Sequence, residues 1–307
     1  LIDLPGNIKY IKTTMFGLSV YAPDAICFVS NLCIHKFIDN SDTNDLEMLK
    51  FYKTYCDILK LGFLLVLTCK DISHKCCPAC NDVSDEIHRI HIDGQDIDYI
   101  NISNVTGHGL NHLKRFLCTI EYKYDLESAQ NINDDNVFNT LETYFVQDAG
   151  TIFSGIVNFG SLNLDQEIYI SNNKEIVQGT IKSIYKKQIN SQTLFQRETG
   201  TIHLDINAFN SSKNIIISTK KYKQHTSFKF TPKTYYIFGE VIGNDMLFVE
   251  NSVLPIKITR SDDEFILIKE GDGITVPSLD INKITYAFIK SGNFIIFGFI
   301  NEIDIPI

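Results

Sequence analysis

The feature that most constrains this chain is a change of hydrophobic period partway along it. Up to about residue 120, short apolar runs alternate with stretches of helical spacing; beyond residue 136, nearly every apolar run is a short strand between Gly, Asn and Asp turns. In the first part, Ala25 to Ser30 and Phe63 to Leu67 are apolar runs of strand length, the pattern of strands covered on both faces. Tyr99 to Ile102 reads as a third strand, and Leu1 to Asp3 as the end of a fourth. Tyr10 to Tyr21 and Leu110 to Leu117 have helical spacing. Between them lies a further helix that Asp42 or Thr43 can cap, with Leu46, Leu49, Ile58 and Leu59 as its apolar face and Gly62 as its stop. Strands separated by helices predict an α/β unit with a mostly parallel sheet.

The polar stretch from Glu121 to Asn136 reads as a linker. After it, Thr143 to Val146, Thr151 to Val157, Glu167 to Ile170, Gly179 to Tyr185 and Thr201 to Ile206 have the spacing of a small β-barrel. A Lys-rich stretch from Lys213 to Lys233 leads into a second set, Tyr235 to Ile242, Met246 to Val249, Phe265 to Lys269, Thr285 to Lys290 and Phe294 to Ile300, expected to form a second barrel. The expected division is an α/β unit over residues 1–122, a linker over 123–136, and all-β barrels over 137–220 and 221–307.

Composition narrows the class. At 307 residues and 44 % hydrophobic, the chain can bury one large core or two or three small ones. Its 28 basic and 37 acidic residues give a net charge of −9, so a nucleic-acid contact has to be a local patch. No window reaches the roughly 18 uninterrupted apolar residues of a membrane span. Leu1, not Met, opens the sequence, with no basic leader before it, which reads as a chain lacking its beginning. Eight cysteines without a secretory leader imply free thiols and a cytoplasmic location.

Three loops carry the chemistry. Asp3-Leu4-Pro5-Gly6 follows an apolar run and precedes a helix, where a GTPase sheet places Asp-x-x-Gly; the Asp holds Mg²⁺ through water and the Gly N–H reaches the γ-phosphate. Taken alone, the same four residues are equally a strand-ending turn. Thr68-Cys69-Lys70-Asp71 follows the strand ending at Leu67, where a GTPase carries Asn/Thr-Lys-x-Asp and the Asp accepts from guanine. Ser103-Asn104-Val105-Thr106-Gly107 follows the strand ending at Ile102, where a short loop offers a backbone N–H to the base. Loops at successive strand C-termini form one crevice, the binding edge of an open α/β sheet.

Lys9-Tyr10-x-Lys12-Thr13-Thr14-x-x-Gly17-Leu18 with Ala22-Pro23-Asp24, the Ser103 to Gly107 loop with Leu110 and Leu113-Lys114, and Gly150-Thr151-Ile152-Phe153-Ser154-Gly155 with Gly160 and Leu164 resemble the GTP-binding protein 1 and 2 family of translational GTPases, relatives of elongation factor 1-alpha and elongation factor Tu. Ile181 to Lys187 is similar to the strand that follows in that family, and beyond about Lys220 only strand spacing carries the likeness. The resemblance implies a partial P-loop GTPase domain followed by two barrels, binding GTP or GDP with Mg²⁺. Asp3 would orient a Mg²⁺ water, Gly6 would sense the γ-phosphate, Thr68, Cys69, Lys70 and Asp71 would form the guanine loop, and Ser103, Asn104 and Val105 would close over the base. It further implies a GTP-gated switch acting with tRNA, the ribosome or the mRNA-decay machinery.

Departures from the pattern count as much as matches. No Gly-x-x-x-x-Gly-Lys-[Ser/Thr] occurs, so the loop that cradles phosphates is absent from this sequence. Asn7 stands where those GTPases carry the His that positions the attacking water; Asn is shorter and cannot become cationic, so weak hydrolysis is expected. Cys69 occupies the place of the Lys that packs over guanine. These departures support an alternative, a degenerate, non-hydrolysing scaffold that binds RNA or the ribosome.

Two further clusters have competing readings. His74, Cys76, Cys77 and Cys80 include a C-x-x-C pair, but a structural zinc site needs four ligands and no second C-x-x-C exists; the family's Cys-Pro-Ala makes this stretch a helix start instead. Lys213, Lys220, Lys221 and Lys223 form a basic patch, either RNA-facing or a solvated linker. Tyr222, Phe228, Phe230, Tyr235 and Tyr236 beside it have the period of core strand residues.

Overall fold

The computed structural model describes residues 1–21, 23–39, 43–68, 86–120, 135–146, 150–172, 175–206, 215–237, 245–249, 252–261, 264–268, 274–275, 285–291 and 294–303. The chain enters through a 3₁₀ turn, Ile8–Tyr10, into α1, Ile11–Tyr21. Then follow β1 (Ala25–Ser30), α2 (Ile34–Ile38), α3 (Thr43–Leu59), β2 (Gly62–Leu67), β3 (His88–Ile92), β4 (Gln95–Asn101) and α4 (Leu110–Thr119). The four strands form one sheet in the order β1-β2-β4-β3, with β1, β2 and β4 parallel and β3 antiparallel to β4. β2 is buried along five of its six residues because it is central. β1 lies at the edge, and Val29 is 61 % exposed, so the expectation that β1 is covered on both faces is corrected.

The expected strand over Leu1 to Asp3 is not one. Leu1 and Ile2 are exposed, and the apolar content of the segment is spent on a single anchor, Leu4, whose methyl groups pack against Gly17 of α1. The β3–β4 hairpin was not anticipated, although its turn residues signal it. Asp93 and Gly94 have φ of 45° and 84°, the pair of positive angles that a two-residue type I′ hairpin needs.

The next strands close on themselves. β5 (Val137–Val146), β6 (Gly150–Phe159), β8 (Glu167–Ser171), β9 (Ile176–Lys186), β12 (Thr199–Asp205) and β13 (Ile216–Ser218) make a six-stranded antiparallel barrel, β9 pairing with both β12 and β8. The short strands β7 (Ser161–Asn163), β10 (Ile189–Ser191) and β11 (Thr193–Phe195) decorate it. Phe138, Phe153, Ile170, Ile181 and Ile202 point inward and are fully buried. β5 bulges between Thr140 and Glu142 opposite Gly155 of β6, where a Cβ would lie 2.2 Å from the Asn139 carbonyl oxygen and 2.7 Å from the Phe138 ring.

The remaining strands are β14 (Gln224–His225), β15 (Ser227–Ile237), β16 (Met246–Val249), β17 (Ser252–Pro255), β18 (Lys257–Ser261), β19 (Glu264–Ile268), β20 (Ile274–Thr275), β21 (Thr285–Ser291) and β22 (Phe294–Ile303). Seven of them form an antiparallel sheet in the order β17-β16-β21-β22-β15-β19-β18. β17 and β18 sit at opposite ends of that order, yet only Ile256 separates them along the chain, so the sheet has to curl until its edges meet. β22 repeats the device of β6: Gly298 faces a bulge in β15 and would place a Cβ 2.2 Å from the Thr231 carbonyl oxygen and 2.6 Å from the Phe230 ring.

The Lys-rich stretch is corrected by these strands. It is no lead-in: β13 inside it completes the first barrel, and β15 is the longest strand pairing two neighbours in the second sheet. Tyr222, Phe228, Phe230 and Tyr236 are buried as their period implies, and Tyr235 is half exposed.

One apolar cluster runs from the α/β unit into the second sheet. α3 is buried on two stripes; Leu49 and Cys56 belong to the α/β core, and Phe51 and Tyr55 meet β15, β21 and β22. Phe51 is edge-on to Tyr236 at 5.0 Å, and Tyr55 stacks on Phe288 at 5.3 Å and meets Phe297 edge-on at 5.8 Å. Thr54 is a polar node in this seam, accepting from Gln95 Nε2 at 2.7 Å and hydrogen-bonding Tyr236. Burial pushes the Tyr236 phenol up to about 12.

Candidate functional site

Parallel strands present their C-terminal ends on one edge, and here those ends are stitched together. Thr68 N–H donates to the Ser30 carbonyl at 2.8 Å, its hydroxyl reaches the same oxygen at 3.3 Å, and Ile102 N–H donates to the Leu67 carbonyl at 2.8 Å. The exits of β1, β2 and β4 are therefore adjacent, as the sequence requires for a shared crevice. At the β1 exit, Ser30 Oγ lies 3.3 Å from Asp45 Oδ2 of α3 and accepts from Leu32 N–H at 3.1 Å, which turns the chain toward α2. Beyond that turn, Cys33 Sγ lies 3.4 Å from His35 Nδ1.

The loop after β4 is built around one buried hydroxyl. Ser103 is 1 % exposed, and its Oγ accepts from Thr106 N–H at 3.0 Å while its carbonyl accepts from Gly107 N–H at 2.9 Å. This closes a tight turn that leaves Asn104, Val105 and Thr106 exposed, Val105 at 85 %. Ser103 N–H in turn donates to the His108 carbonyl at 3.0 Å. Gly109 then starts α4 with φ of 72°, and a Cβ on it would lie 2.3 Å from the Asn101 carbonyl oxygen.

This geometry separates two glycines by cause. Gly109→Ala is expected to cost about 2 kcal/mol, from the left-handed backbone and the overlap together. Gly107→Ala has φ of 79° but open space around it, and should cost only about 1 kcal/mol. Urea unfolding checks the order, with a lower midpoint at constant slope in both variants.

Asp3, Gly6 and Asn7 lie on a different element, the exposed lead-in to α1. Thr14 Oγ1 donates to the Pro5 carbonyl at 2.6 Å and so holds this lead-in on the helix. Asn7 Oδ1 accepts from Lys9 N–H at 2.9 Å, and its carbonyl accepts from Tyr10 N–H at 2.9 Å, which makes Asn7 the cap of the 3₁₀ turn. Cys69, Lys70 and Asp71 lie outside the described residues, as do His74, Cys76, Cys77, Cys80 and Lys213. Among the described residues, no three His, Cys, Asp or Glu side chains cluster as a metal site.

Sequence reasoning missed two features that fix the site's surroundings. Asp24, next to the start of β1, pairs with Arg197 of the first barrel at 3.0 Å and joins the α/β unit to it. In the basic patch, Lys220 is held by Asp135 at 3.3 Å and lies over the Tyr222 ring at 5.5 Å, while Lys221 and Lys223 are exposed. The opposite charges of Asp24 and Arg197 could be read from the sequence, but nothing in their spacing joins them.

No helix among the described residues is long and apolar enough to cross a membrane. No family model matches the chain, and no curated protein gives a significant match. Solved structures do. The chain is similar to a bacterial selenocysteine-specific elongation factor EF-Sec, with a TM-score of 0.63 and 14 % identity, covering 96 % of this chain and 48 % of that one. It is also similar to translation elongation factor SelB from Methanococcus maripaludis. The apo form gives a TM-score of 0.67 and 13 % identity over 98 % of this chain and 69 % of that one; the complex with the GTP analogue GPPNHP gives 0.64 and 14 % over 98 % and 70 %. The chain thus spans about half the length of the bacterial factor. At such identities the likeness is one of fold, and over nearly the whole chain that fold is translation-factor-like.

Proposed function

We propose that this chain is the base-reading and barrel-bearing part of a GTP-binding translation factor, related to the GTP-binding protein 1 and 2 family. The observation that carries the reading is the stitched edge: Thr68 and the Ser103 turn stand at adjacent parallel strand ends, in a chain with the fold of SelB. In this reading residues 1–122 belong to a P-loop GTPase domain, 123–136 link it to the barrels, and 137–220 and 221–307 are the two barrel domains. Ser103 is the internal brace, and the exposed backbone of Asn104 and Val105 is the surface offered to guanine, with Thr68 and Asp71 on the neighbouring loop. tRNA, the ribosome or the mRNA-decay machinery would be its partners, reached through the barrels, where Lys220, Lys221 and Lys223 are exposed cations of the patch.

The described residues fit the base end of a guanine nucleotide and not its phosphates or Mg²⁺. Asp3 is an exposed carboxylate that belongs to no group of three metal-ligating side chains among the described residues, and the sequence has no phosphate-cradling loop. Bound GTP and Mg²⁺ would supply the charge that holds switch loops in place; the residues here supply only base recognition and attachment to the barrels. A second reading, the non-hydrolysing scaffold, is favoured by Asn7, whose side-chain oxygen is engaged as a cap.

Titration of the chain with fluorescent GDP and fluorescent ADP tests the choice. The proposal expects GDP to bind at least about tenfold tighter than ADP, a difference of about 1.4 kcal/mol. Equal affinity or no binding of either overturns it, and tRNA binding that persists without nucleotide then supports the scaffold.

A further inference from the structure

A buried lysine lies where α1 covers the second sheet. Along β21, Tyr286, Phe288 and Lys290 share the face turned to α1 and α3. Register places Lys290 between Met246 of β16 and Ile295 of β22, two apolar neighbours in the seam. α1 packs against β16, and α3 brings the rings of Phe51 and Tyr55 to Phe288. In this apolar row Lys290 is 2 % exposed, and its Nζ is buried with no hydrogen-bond partner among the described residues. Among the described residues, the charged groups facing it are Lys12 of α1 and Asp245 just before β16; α3 offers aromatic rings and β22 offers Ile295.

An unpaired ammonium in such a place is unfavourable, because burial removes its hydration and Lys12 adds a like charge. We propose that Lys290 couples the seating of α1 on the second sheet to proton release: within an alkaline window of pH, the amine is neutral while α1 covers it and takes one proton from solvent when α1 lifts away. This inference goes beyond the nucleotide reading and does not rest on it. Burial first, and Lys12 second, hold the amine below the ordinary lysine value, with Asp245 opposing them. The covered state therefore binds fewer protons than the open one between that lowered value and the ordinary value of about 10.4. Across this window seating strengthens as pH rises; below it both states are protonated and the dependence vanishes.

Amide hydrogen exchange of the full chain without nucleotide, from about pH 7 to about pH 10 and corrected for intrinsic rate, tests this. Protection of the α1 amides is expected to rise with pH, by up to about tenfold per pH unit. Ile202 and Leu204 in the first barrel serve as the reference and should not follow this rise. In Lys290→Met the α1 dependence should disappear and protection at low pH should increase. Lys12→Met changes an exposed side chain and should move the onset of the rise to higher pH, which keeps the test open if Lys290→Met does not fold. A flat profile in the unmodified chain, an unchanged slope in Lys290→Met or an unmoved onset in Lys12→Met overturns the proposal.

Discussion

Gly155→Ala is expected to cost the first barrel about 3 kcal/mol, the upper end for an overpacked core. The added Cβ would meet the Asn139 carbonyl at 2.2 Å and the ring of Phe138, which is fully buried. Neither can retreat, because the carbonyl belongs to the bulged strand and the ring fills the barrel. Gly298→Ala should cost the second sheet a similar amount, since Thr231 and Phe230 repeat the arrangement. Gly6→Ala, with open space around it, is the control and should be close to neutral. Urea unfolding followed by circular dichroism reads all three. A cost near zero for Gly155→Ala would mean that the bulge opposite it is soft. Set against a typical domain stability of about 5–15 kcal/mol, the expected loss is a large share. It also gives a physical reason for the last Gly of the Gly-Thr-Ile-Phe-Ser-Gly run, which has no room for a side chain.

Phe51→Ala is expected to cost about 3–5 kcal/mol, the usual range for deleting a buried phenylalanine. Phe51 is fully buried and contacts Tyr52, Tyr236 and Phe288 with ring centroids 5.1, 5.0 and 6.3 Å away, so the cavity would open between α3 and the second sheet. The chain has no Trp and 14 Tyr, so near-UV circular dichroism reports mainly on tyrosine packing, and the Tyr52 and Tyr236 contribution should fall. A second readout separates lost packing from general destabilisation. Burial raises the Tyr236 phenol to about 12, so water entering the cavity should bring it back toward the ordinary value of about 10. Tyrosinate absorbance against pH measures that shift; an unmoved phenol would mean that the seam closes over the gap.

Where local pattern determines structure, the sequence was readable. β1 spans Ala25–Ser30 as its apolar run implies, α1 begins one residue after the expected start, and α3 follows its apolar spacing to Leu59. The β3–β4 hairpin is signalled only by Asp93-Gly94, because β3 itself alternates His and Arg with Ile and has no apolar run to mark it as a strand. In the Lys-rich stretch the strand period of Phe228 and Phe230 was legible, but not the sheets its strands join, because β13 pairs with β5 and β8 of the first barrel while β15 pairs with β19 and β22 of the second sheet. Of the site, the strand exits and the Ser103 turn were legible, since each follows a run that ends in a turn residue. The cap made by Asn7 was not, because a motif comparison assigns a position its chemical role without asking which backbone N–H the side chain already satisfies. Long-range pairs lay further out of reach. Tyr55 and Phe288 are separated by most of the chain, and so are Met246 and the helix that covers it.

The single residue between β17 and β18 sets how the second sheet can fail. Among the described residues, the order of ladders ends at these two strands, so the covalent backbone at Ile256 acts as the hoop that keeps the sheet rolled. Ile256 N–H donates to the Asp245 carbonyl at 3.1 Å and its side chain packs on the inner cluster, which rivets the hoop on both sides. A backbone cut at this residue would leave every ladder in place and leave the inner apolar cluster alone to keep the sheet rolled. Strength of pairing and permanence of shape thus have separate origins in this sheet, the first in hydrogen bonds spread over seven strands and the second in the inner apolar cluster together with one peptide connection.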